Sequence, residues 1–293
     1  MKIILLTAIL FSFTKAFAQL GYTEISGGLG IEHAFDGLLG AGVTFCDFNN
    51  DGTDDLSFPT RQGDPLQFYQ NIGGSFVEIP AFVFDTSHVK QINWVDIDND
   101  GDRDLYLSIF DGPSRLFRNE GNMVLTDITV ASGISINSLA FGSSWGDIDN
   151  DGFLDLFVCI RDFTTTNKLY KNNGDNTFTD VSVISGIADL TDFSFCSILF
   201  DYDNDNDLDI YVANDKYTTQ NKLFQNNGFG VFTDVSVGSG TDLWIDAMTT
   251  AIGDPNNDGY FDIYVSNTLL GNQFLNNNGN NTFTNTAPAN GTD

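Results

Sequence analysis

The chain has 293 residues, with 12 Lys or Arg against 40 Asp or Glu and a formal net charge of −28. That balance excludes nucleic acid as a partner, because neutralising phosphates takes clustered basic side chains that are missing here. Only Glu24, Glu32, Glu78 and Glu120 are glutamates, so the charge rests on Asp, which suits tight turns and metal loops better than helix faces. With 41% hydrophobic and 13% aromatic residues, the chain can build a core, and its acidity does not signify disorder.

Residues 1–18 combine Lys2, an apolar stretch from Ile3 to Phe13, and Ala16-Phe17-Ala18 before Gln19. This is the pattern of a secretory signal peptide cleaved after Ala18. The apolar run is too short to span a bilayer, so the expectation is a secreted or cell-surface protein with no membrane span, its mature domain covering residues 19–293. Cleavage removes Lys2 and Lys15 and takes the net charge from −28 to −30. Cys46, Cys159 and Cys196 lie in apolar, strand-like runs and are expected as core residues rather than as a disulfide framework.

One pattern then recurs five times. Its acidic loops read Asp47-Phe-Asn49-Asn-Asp51-Gly52-Thr-Asp-Asp55, Asp96-Ile-Asp98-Asn-Asp100-Gly101-Asp-Arg-Asp104 and Asp147-Ile-Asp149-Asn-Asp151-Gly152-Phe-Leu-Asp155. The fourth is Asp201-Tyr-Asp203-Asn-Asp205-Asn206-Asp-Leu-Asp209 and the fifth Asp254-Pro-Asn256-Asn-Asp258-Gly259-Tyr-Phe-Asp262. Starts at 47, 96, 147, 201 and 254 give a period in the range of repeat architectures. Each loop follows an apolar approach such as Ile92-Asn-Trp94-Val95 and precedes a run such as Leu105-Tyr-Leu107 or Ile210-Tyr-Val212. These runs are apolar on both faces, as strands covered on both sides are.

Further along each unit an aromatic residue leads into Asn and Gly: Tyr69 to Gly73, Phe117 to Gly121, Tyr170 to Gly174, Phe224 to Gly228 and Phe274 to Gly279. A last element follows, as in Phe178-Thr-Asp180 and Phe232-Thr-Asp234. Four strands per unit, repeated, predict an all-β fold, a β-propeller of four-stranded blades with five repeats. A β-sandwich offers no reason for one unit to recur.

Oxygen-bearing side chains at loop positions 1, 3, 5 and 9 suit Ca²⁺, a hard cation that takes six to eight oxygen ligands. The candidate metal ligands are therefore Asp47, Asn49, Asp51 and Asp55; Asp96, Asp98, Asp100 and Asp104; Asp147, Asp149, Asp151 and Asp155; Asp201, Asp203, Asp205 and Asp209; and Asp254, Asn256, Asp258 and Asp262. The position-7 carbonyl can complete each set, for up to five Ca²⁺ ions. Loops one and five, with Asn at position 3, are expected to be the weaker sites. Zinc and copper are disfavoured because neither His33 nor His88 is near a loop. An acidic turn without metal would leave the carboxylates repelling one another. An EF-hand or dockerin would need a helix after the loop, where this chain alternates as strands.

With those residues in hand, the chain resembles the FG-GAP/VCBS repeat family, the calcium-loop propeller repeats also found in the integrin α-subunit head and in bacterial exported proteins of the ASPIC/UnbV type. The resemblance covers roughly residues 22–286 and implies that the acidic loops hold Ca²⁺ between the first two strands of each blade. Asn206 in place of Gly and Pro255 at position 2 of the last loop depart from the pattern. Propellers of this family commonly have seven blades, more than this chain holds, although Tyr22-Thr-Glu24-Ile25-Ser resembles the outer strand of a blade before the first. The expectation is a five-bladed ring or, in preference, an open arc from an incomplete chain, with apolar faces exposed at its ends.

The expected function is a Ca²⁺-stabilised binding or adhesion module for an extracellular protein or glycan, without catalysis. The alternative is a noncatalytic or partial domain of a polysaccharide-degrading enzyme, which would call for a cleft with bases suited to proton abstraction. Arg61, Lys90, Arg115, Lys168, Lys216 and Lys222 are scattered singly along the sequence, and surface solvation accounts for them. Trp94 and Trp145 precede loops at the same strand position and are expected in the core, whereas Trp244 is the candidate ligand contact.

Overall fold

The computed structural model describes residues 23–31, 41–60, 62–83, 85–137, 139–188, 192–268 and 271–287. The predicted signal peptide over residues 1–18, Tyr22, His33 and Arg61 lie outside them. The described residues form five four-stranded antiparallel sheets, one per repeat, each laid out in sequence order. The first sheet comprises β1 (Thr44–Cys46), β2 (Asp55–Phe58), β3 (Gln67–Ile72) and β4 (Ser75–Ile79). The second comprises β5 (Val89–Val95), β6 (Asp104–Ile109), β7 (Arg115–Asn119) and β8 (Leu125–Asp127), and the third β9 (Ala140–Gly146), β10 (Asp155–Ile160), β11 (Lys168–Asn172) and β12 (Phe178–Asp180). β13 (Ser194–Phe200), β14 (Asp209–Asn214), β15 (Lys222–Asn226) and β16 (Phe232–Asp234) make the fourth, and β17 (Ala247–Gly253), β18 (Asp262–Asn267), β19 (Gln273–Asn277) and β20 (Phe283–Asn285) the fifth.

The apolar second strands explain the stacking. Every residue of β6, β10 and β14 is buried, so both faces of each strand need a neighbouring sheet. Four hydrophobic cores supply it, one between each pair of consecutive sheets. Phe68, Trp94 and Leu105 join the first sheet to the second, and Tyr106, Leu156 and Tyr170 the second to the third. Phe157, Ile210 and Phe224 join the third to the fourth, and Tyr211, Ile263 and Leu275 the fourth to the fifth. The innermost strands β5, β9, β13 and β17 and the approach to β1 surround one axial cavity. The fold is thus all-β, a propeller of four-stranded blades.

Among the described residues no hydrophobic cluster joins the fifth sheet to the first. Among the described residues, Phe45, Ile72 and Val77 of the first sheet are exposed. After β8, β12 and β16 a short turn packs against the next sheet. These turns include the helical turns α1 (Thr129–Ser132) and α2 (Ser236–Ser239), each closed by a left-handed glycine. A Cβ on Gly133 would stand 3.0 Å from the Phe178 carbonyl oxygen, and one on Gly240 3.1 Å from that of Phe283. Gly30, ending the 3₁₀ turn Ser26–Leu29, lies in the same way against Phe76. Glu24 accepts the Ser26 N–H as Asp127 accepts that of Thr129, so residues 24–30 occupy the place of an outer-strand turn preceding the first sheet.

Several sequence expectations need correction. The strand register pairs Leu275, not Phe274, with Ile263, so Leu275 is the fifth counterpart of Tyr69, Phe117, Tyr170 and Phe224, with the extra Asn of that segment shifting the alignment by one. The basic residues are not singly solvated. Arg115 pairs with Asp127, Lys168 with Asp180 and Lys222 with Asp234, the same ion pair between third and fourth strands in three sheets. Lys216 pairs with Asp215, and Lys90 is buried. Cys46, Cys159 and Cys196 are free thiols. Trp94 is buried and donates from Nε1 to Ser57 Oγ at 2.8 Å, Trp145 packs on the second core, and Trp244 is 54% exposed.

The first strands of the third and fourth blades approach backbone to backbone at Gly142, where a Cβ would come within 2.9 Å of the Cys196 Cα and the Phe195 carbonyl oxygen. Backbone cannot yield as a flexible side chain does, so Gly142→Ala is expected to cost about 1–3 kcal/mol. Urea denaturation measures the loss, and an unchanged midpoint would contradict this packing.

Candidate metal centre

Each acidic loop joins the first strand of a sheet to the second, and its shape is dictated by carboxylates accepting backbone N–H groups. At position 1, the Asp147 oxygens accept the N–H groups of Asp151 at 3.0 Å and Gly152 at 2.8 Å. Asp47, Asp201 and Asp254 make the corresponding pairs of bonds, and Asp96 accepts from Gly101. Position 5 accepts the position-7 N–H, as Asp100 does from Asp102 at 2.8 Å and Asp258 from Tyr260 at 3.0 Å. The chain turns through the left-handed region at position 6, where Gly52, Gly101, Gly152 and Gly259 have φ near 90°. Asn206 holds the same turn at φ 72°, a conformation Asn tolerates better than other residues with a Cβ.

Position 9 opens the second strand and is buried in every loop: Asp55, Asp104, Asp155, Asp209 and Asp262. One oxygen accepts the N–H of the third-strand Asn, at 2.7 Å from Asn119 to Asp104 and from Asn172 to Asp155. In loops two to four the other oxygen accepts the position-2 N–H of Ile97, Ile148 or Tyr202. Burial pushes the carboxyls of Asp104, Asp155 and Asp209 up to about 7, and raises those of Asp55 and Asp262.

The structure gathers the carboxylates of positions 1, 3 and 9 in three loops. Ligand oxygens of Asp96, Asp98 and Asp104, of Asp147, Asp149 and Asp155, and of Asp201, Asp203 and Asp209 lie within 4.8 Å of one another, a spacing that could hold a metal ion. The position-3 Oδ1 atoms of Asp98, Asp149 and Asp203 are buried without a hydrogen-bond partner. A buried orphan carboxylate oxygen is costly in a cation's absence, and three at one loop position fit a cation site. Position-5 Asp100, Asp151 and Asp205 fall outside these groups and accept the position-7 N–H. Loops one and five place Asn49 and Asn256 at position 3, where each amide oxygen accepts the N–H of Asp51 or Asp258 at 2.9 Å. In the third loop the Lys171 ammonium reaches Asp149 and, at 2.6 Å, Asp151, so a cation there must compete with it.

Two sets of residues with no role in the sequence reading carry the contacts between loops. The position-4 asparagines Asn50, Asn99, Asn150, Asn204 and Asn257 all have φ between 56° and 63°. From that conformation Asn50, Asn99 and Asn204 donate to the position-6 carbonyls of Gly101, Gly152 and Gly259 in the next loop, at 2.8, 2.9 and 3.0 Å, while Asn150 reaches Asp207. Asn172, Asn226 and Asn277 reach back and donate to the carbonyls of Ile97, Ile148 and Tyr202 in the preceding blade, each at 2.8 Å. Asn at position 4 of all five loops was the available signal. A strand propensity gives no cause for it.

Two outcomes are expected. Asn226→Ala strands the buried Ile148 carbonyl and should cost about 1–3 kcal/mol in urea denaturation. Because Asp104, Asp155 and Asp209 have folded-state values above that of an unfolded Asp, their contribution favours the ion-free fold at low pH and is lost as pH rises through 7. Metal-stripped protein should therefore melt lower at pH 8 than at pH 5.5, and a higher melt at pH 8 would contradict the burial of these groups.

The FG-GAP-like repeat model matches residues 47–107, 96–158, 147–212 and 201–265. Comparison with curated proteins finds no match. Among solved structures, an Agrocybe aegerita lectin, described for its recognition of non-reducing terminal N-acetylglucosamine, aligns over 83% of this chain at 19% identity with a TM-score of 0.52. An auxiliary nutrient binding protein from Bacteroides thetaiotaomicron aligns over 84% at 13% identity with a TM-score of 0.52. The V. cholerae biofilm matrix protein Bap1 aligns over 80% at 15% identity with a TM-score of 0.45. The alignments span 64%, 57% and 37% of those three chains respectively. At such identities the likeness concerns the fold. With the model matching from the first acidic loop to the fifth, the chain belongs to the FG-GAP-like repeat family.

Proposed function

We propose that this protein is an exported, noncatalytic binding module whose blades are braced by Ca²⁺, and that it recognises an extracellular glycan or protein. In this reading residues 1–18 are removed on export and residues 19–293 form the mature domain. The observation that carries it is the trio of buried, partnerless oxygens on Asp98, Asp149 and Asp203, each grouped with two further Asp carboxylates. Only hard oxygen donors are present, which favours Ca²⁺ over zinc or copper. Asp96, Asp98, Asp104 and their counterparts in loops three and four would hold the ion. It would supply positive charge that offsets carboxylate repulsion and pins the first two strands of each blade. Asn49 and Asn256 leave loops one and five with less charge and weaker affinity.

The opposite end of the blades is available for partners. Phe163 and Tyr217 follow second strands and Trp244 precedes a first strand, and they are exposed by 48%, 40% and 54%. Aromatic faces of this kind suit sugar or protein contacts. Two structures of the same fold, a lectin and a nutrient binding protein, support a binding role. Among the described residues no helix is long and apolar enough to cross a membrane.

Chelation should lower the melting temperature, and millimolar Ca²⁺ should restore it, since extracellular modules bind at about 10⁻⁴ to 10⁻³ M. An unchanged melt in scanning calorimetry would remove the structural role of the ion. Binding requires Asp104, Asp155 and Asp209 to be ionised, so apparent Ca²⁺ affinity should fall by about tenfold per pH unit below 7 for each proton displaced. A screen against glycans and matrix proteins tests recognition, and Trp244→Ala should reduce a hit at least about tenfold, as loss of an aromatic anchor does.

A further inference from the structure

The residue preceding the third-strand Asn differs from blade to blade, and so does what it brings to the acidic loop. Gln70 donates from Nε2 to Asp51 at 3.1 Å in the first blade, and Gln225 to Asp203 at 2.7 Å in the fourth. Arg118 in the second blade is turned onto Glu120, at 3.1 Å from Nε and 2.5 Å from one terminal nitrogen. In the third blade the Lys171 ammonium bonds both Asp149 and, at 2.6 Å, Asp151. Loops one and four thus receive a neutral donor at this point, whereas loop three receives a full positive charge.

A contact from the following blade sets loop three apart in the same way. Asn281 of the fifth blade donates to Asp203 Oδ2 in loop four at 3.1 Å. Asn176 of the third blade, its amide oriented to donate, lies 3.1 Å from Asp98 Oδ2 in loop two. The fourth blade has Gly230 at the corresponding point, with φ 68° against 67° for Asn176 and 65° for Asn281. A Cβ on Gly230 would stand 3.8 Å from the Asp149 Cβ, so this residue faces loop three but has no amide to offer it. The Asp149 oxygen that would receive that amide is the one bonded by Lys171.

We propose that Lys171 is a built-in counter-ion for the third loop, so that the middle blade of the five is braced without Ca²⁺ and the tight ion sites are confined to loops two and four. Neutral amides satisfy the Asp98 and Asp203 oxygens without adding charge, and the repulsion within those loops is left for a cation to offset. In loop three an ion must first displace the ammonium and its two charge-assisted bonds. Lysine is a point charge on a flexible stem, so it can leave when calcium is abundant, and loop three fills after the other two. The assignment rests on the reading of the acidic loops as Ca²⁺ sites and specifies which of them depend on the ion.

Equilibrium dialysis of the metal-stripped protein against radiolabelled calcium, paired with scanning calorimetry in chelator and in millimolar calcium, tests it on Lys171→Gln and Gln225→Lys. Lys171→Gln installs the residue of the first and fourth blades. It should add one tight site, loop three gaining affinity by about tenfold, and should melt lower than wild type in chelator with a larger recovery when calcium is added. Gln225→Lys should do the reverse, losing a tight site and becoming less sensitive to chelator. Site number and melts in Lys171→Gln identical to wild type would overturn the assignment while leaving the calcium reading intact, and calcium bound by none of the three proteins would overturn both. A Lys171→Gln that folds only in calcium upholds the substitution of ammonium for ion. If it folds in neither condition, Gln225→Lys decides, because an unchanged site number there would overturn the assignment.

Discussion

A buried carboxylate at the start of each second strand holds each of these sheets together. In the second blade, Asp104 accepts the Ile97 N–H from the acidic loop and the Asn119 N–H from the third strand, so one side chain ties three segments. Asp155 and Asp209 repeat the arrangement. Burying an ionisable group this deeply raises its pKa, and the fold accepts that because the backbone donors it satisfies would otherwise be unpaired. The same burial makes each loop sensitive to protons and, in the proposed function, to a divalent cation.

From that constraint the loops are linked into a chain. The position-1 and position-5 carboxylates fold each loop on itself, leaving the position-4 Asn in the left-handed region with its amide directed outward. Asn50, Asn99 and Asn204 then bind the next loop, while third-strand Asn residues bind the previous one. Hydrophobic cores between sheets carry most of the burial, but they are nondirectional. The amide contacts specify how far each blade is rotated against its neighbour. At the outer rim, pairs such as Arg115 with Asp127 and Lys168 with Asp180 are half-exposed and contribute little, roughly 0–1 kcal/mol each.

The molecule is consequently polarised. One end of the blades carries the acidic loops, and the other carries Phe163, Tyr217 and Trp244, with an axial cavity whose charged lining residue is Lys90. The clustered carboxylates of the acidic loops lie at the end where backbone donors offset their repulsion and where, in the proposed function, cations would do so too.

Periodicity alone determined the five units, their four strands and the position of the acidic loops, because a repeat buries its apolar runs only by stacking. Asp and Asn at fixed loop positions also pointed to oxygen-donor metal chemistry, and three of the loops bring carboxylates within 4.8 Å of one another, a spacing that could hold an ion. The sequence could not show that Leu275 rather than Phe274 fills the core between the fourth and fifth sheets, because aligning this segment on its aromatic residue displaces it by one and only strand pairing reveals the shift. Nor could it show the partnerships of Arg115, Lys168 and Lys222 or the burial of Lys90 beside Phe141. Those depend on which strands become neighbours, and the contact between Lys90 and Phe141 joins residues of adjacent blades about 50 positions apart in the chain, a proximity that arises only once the sheets stack against one another.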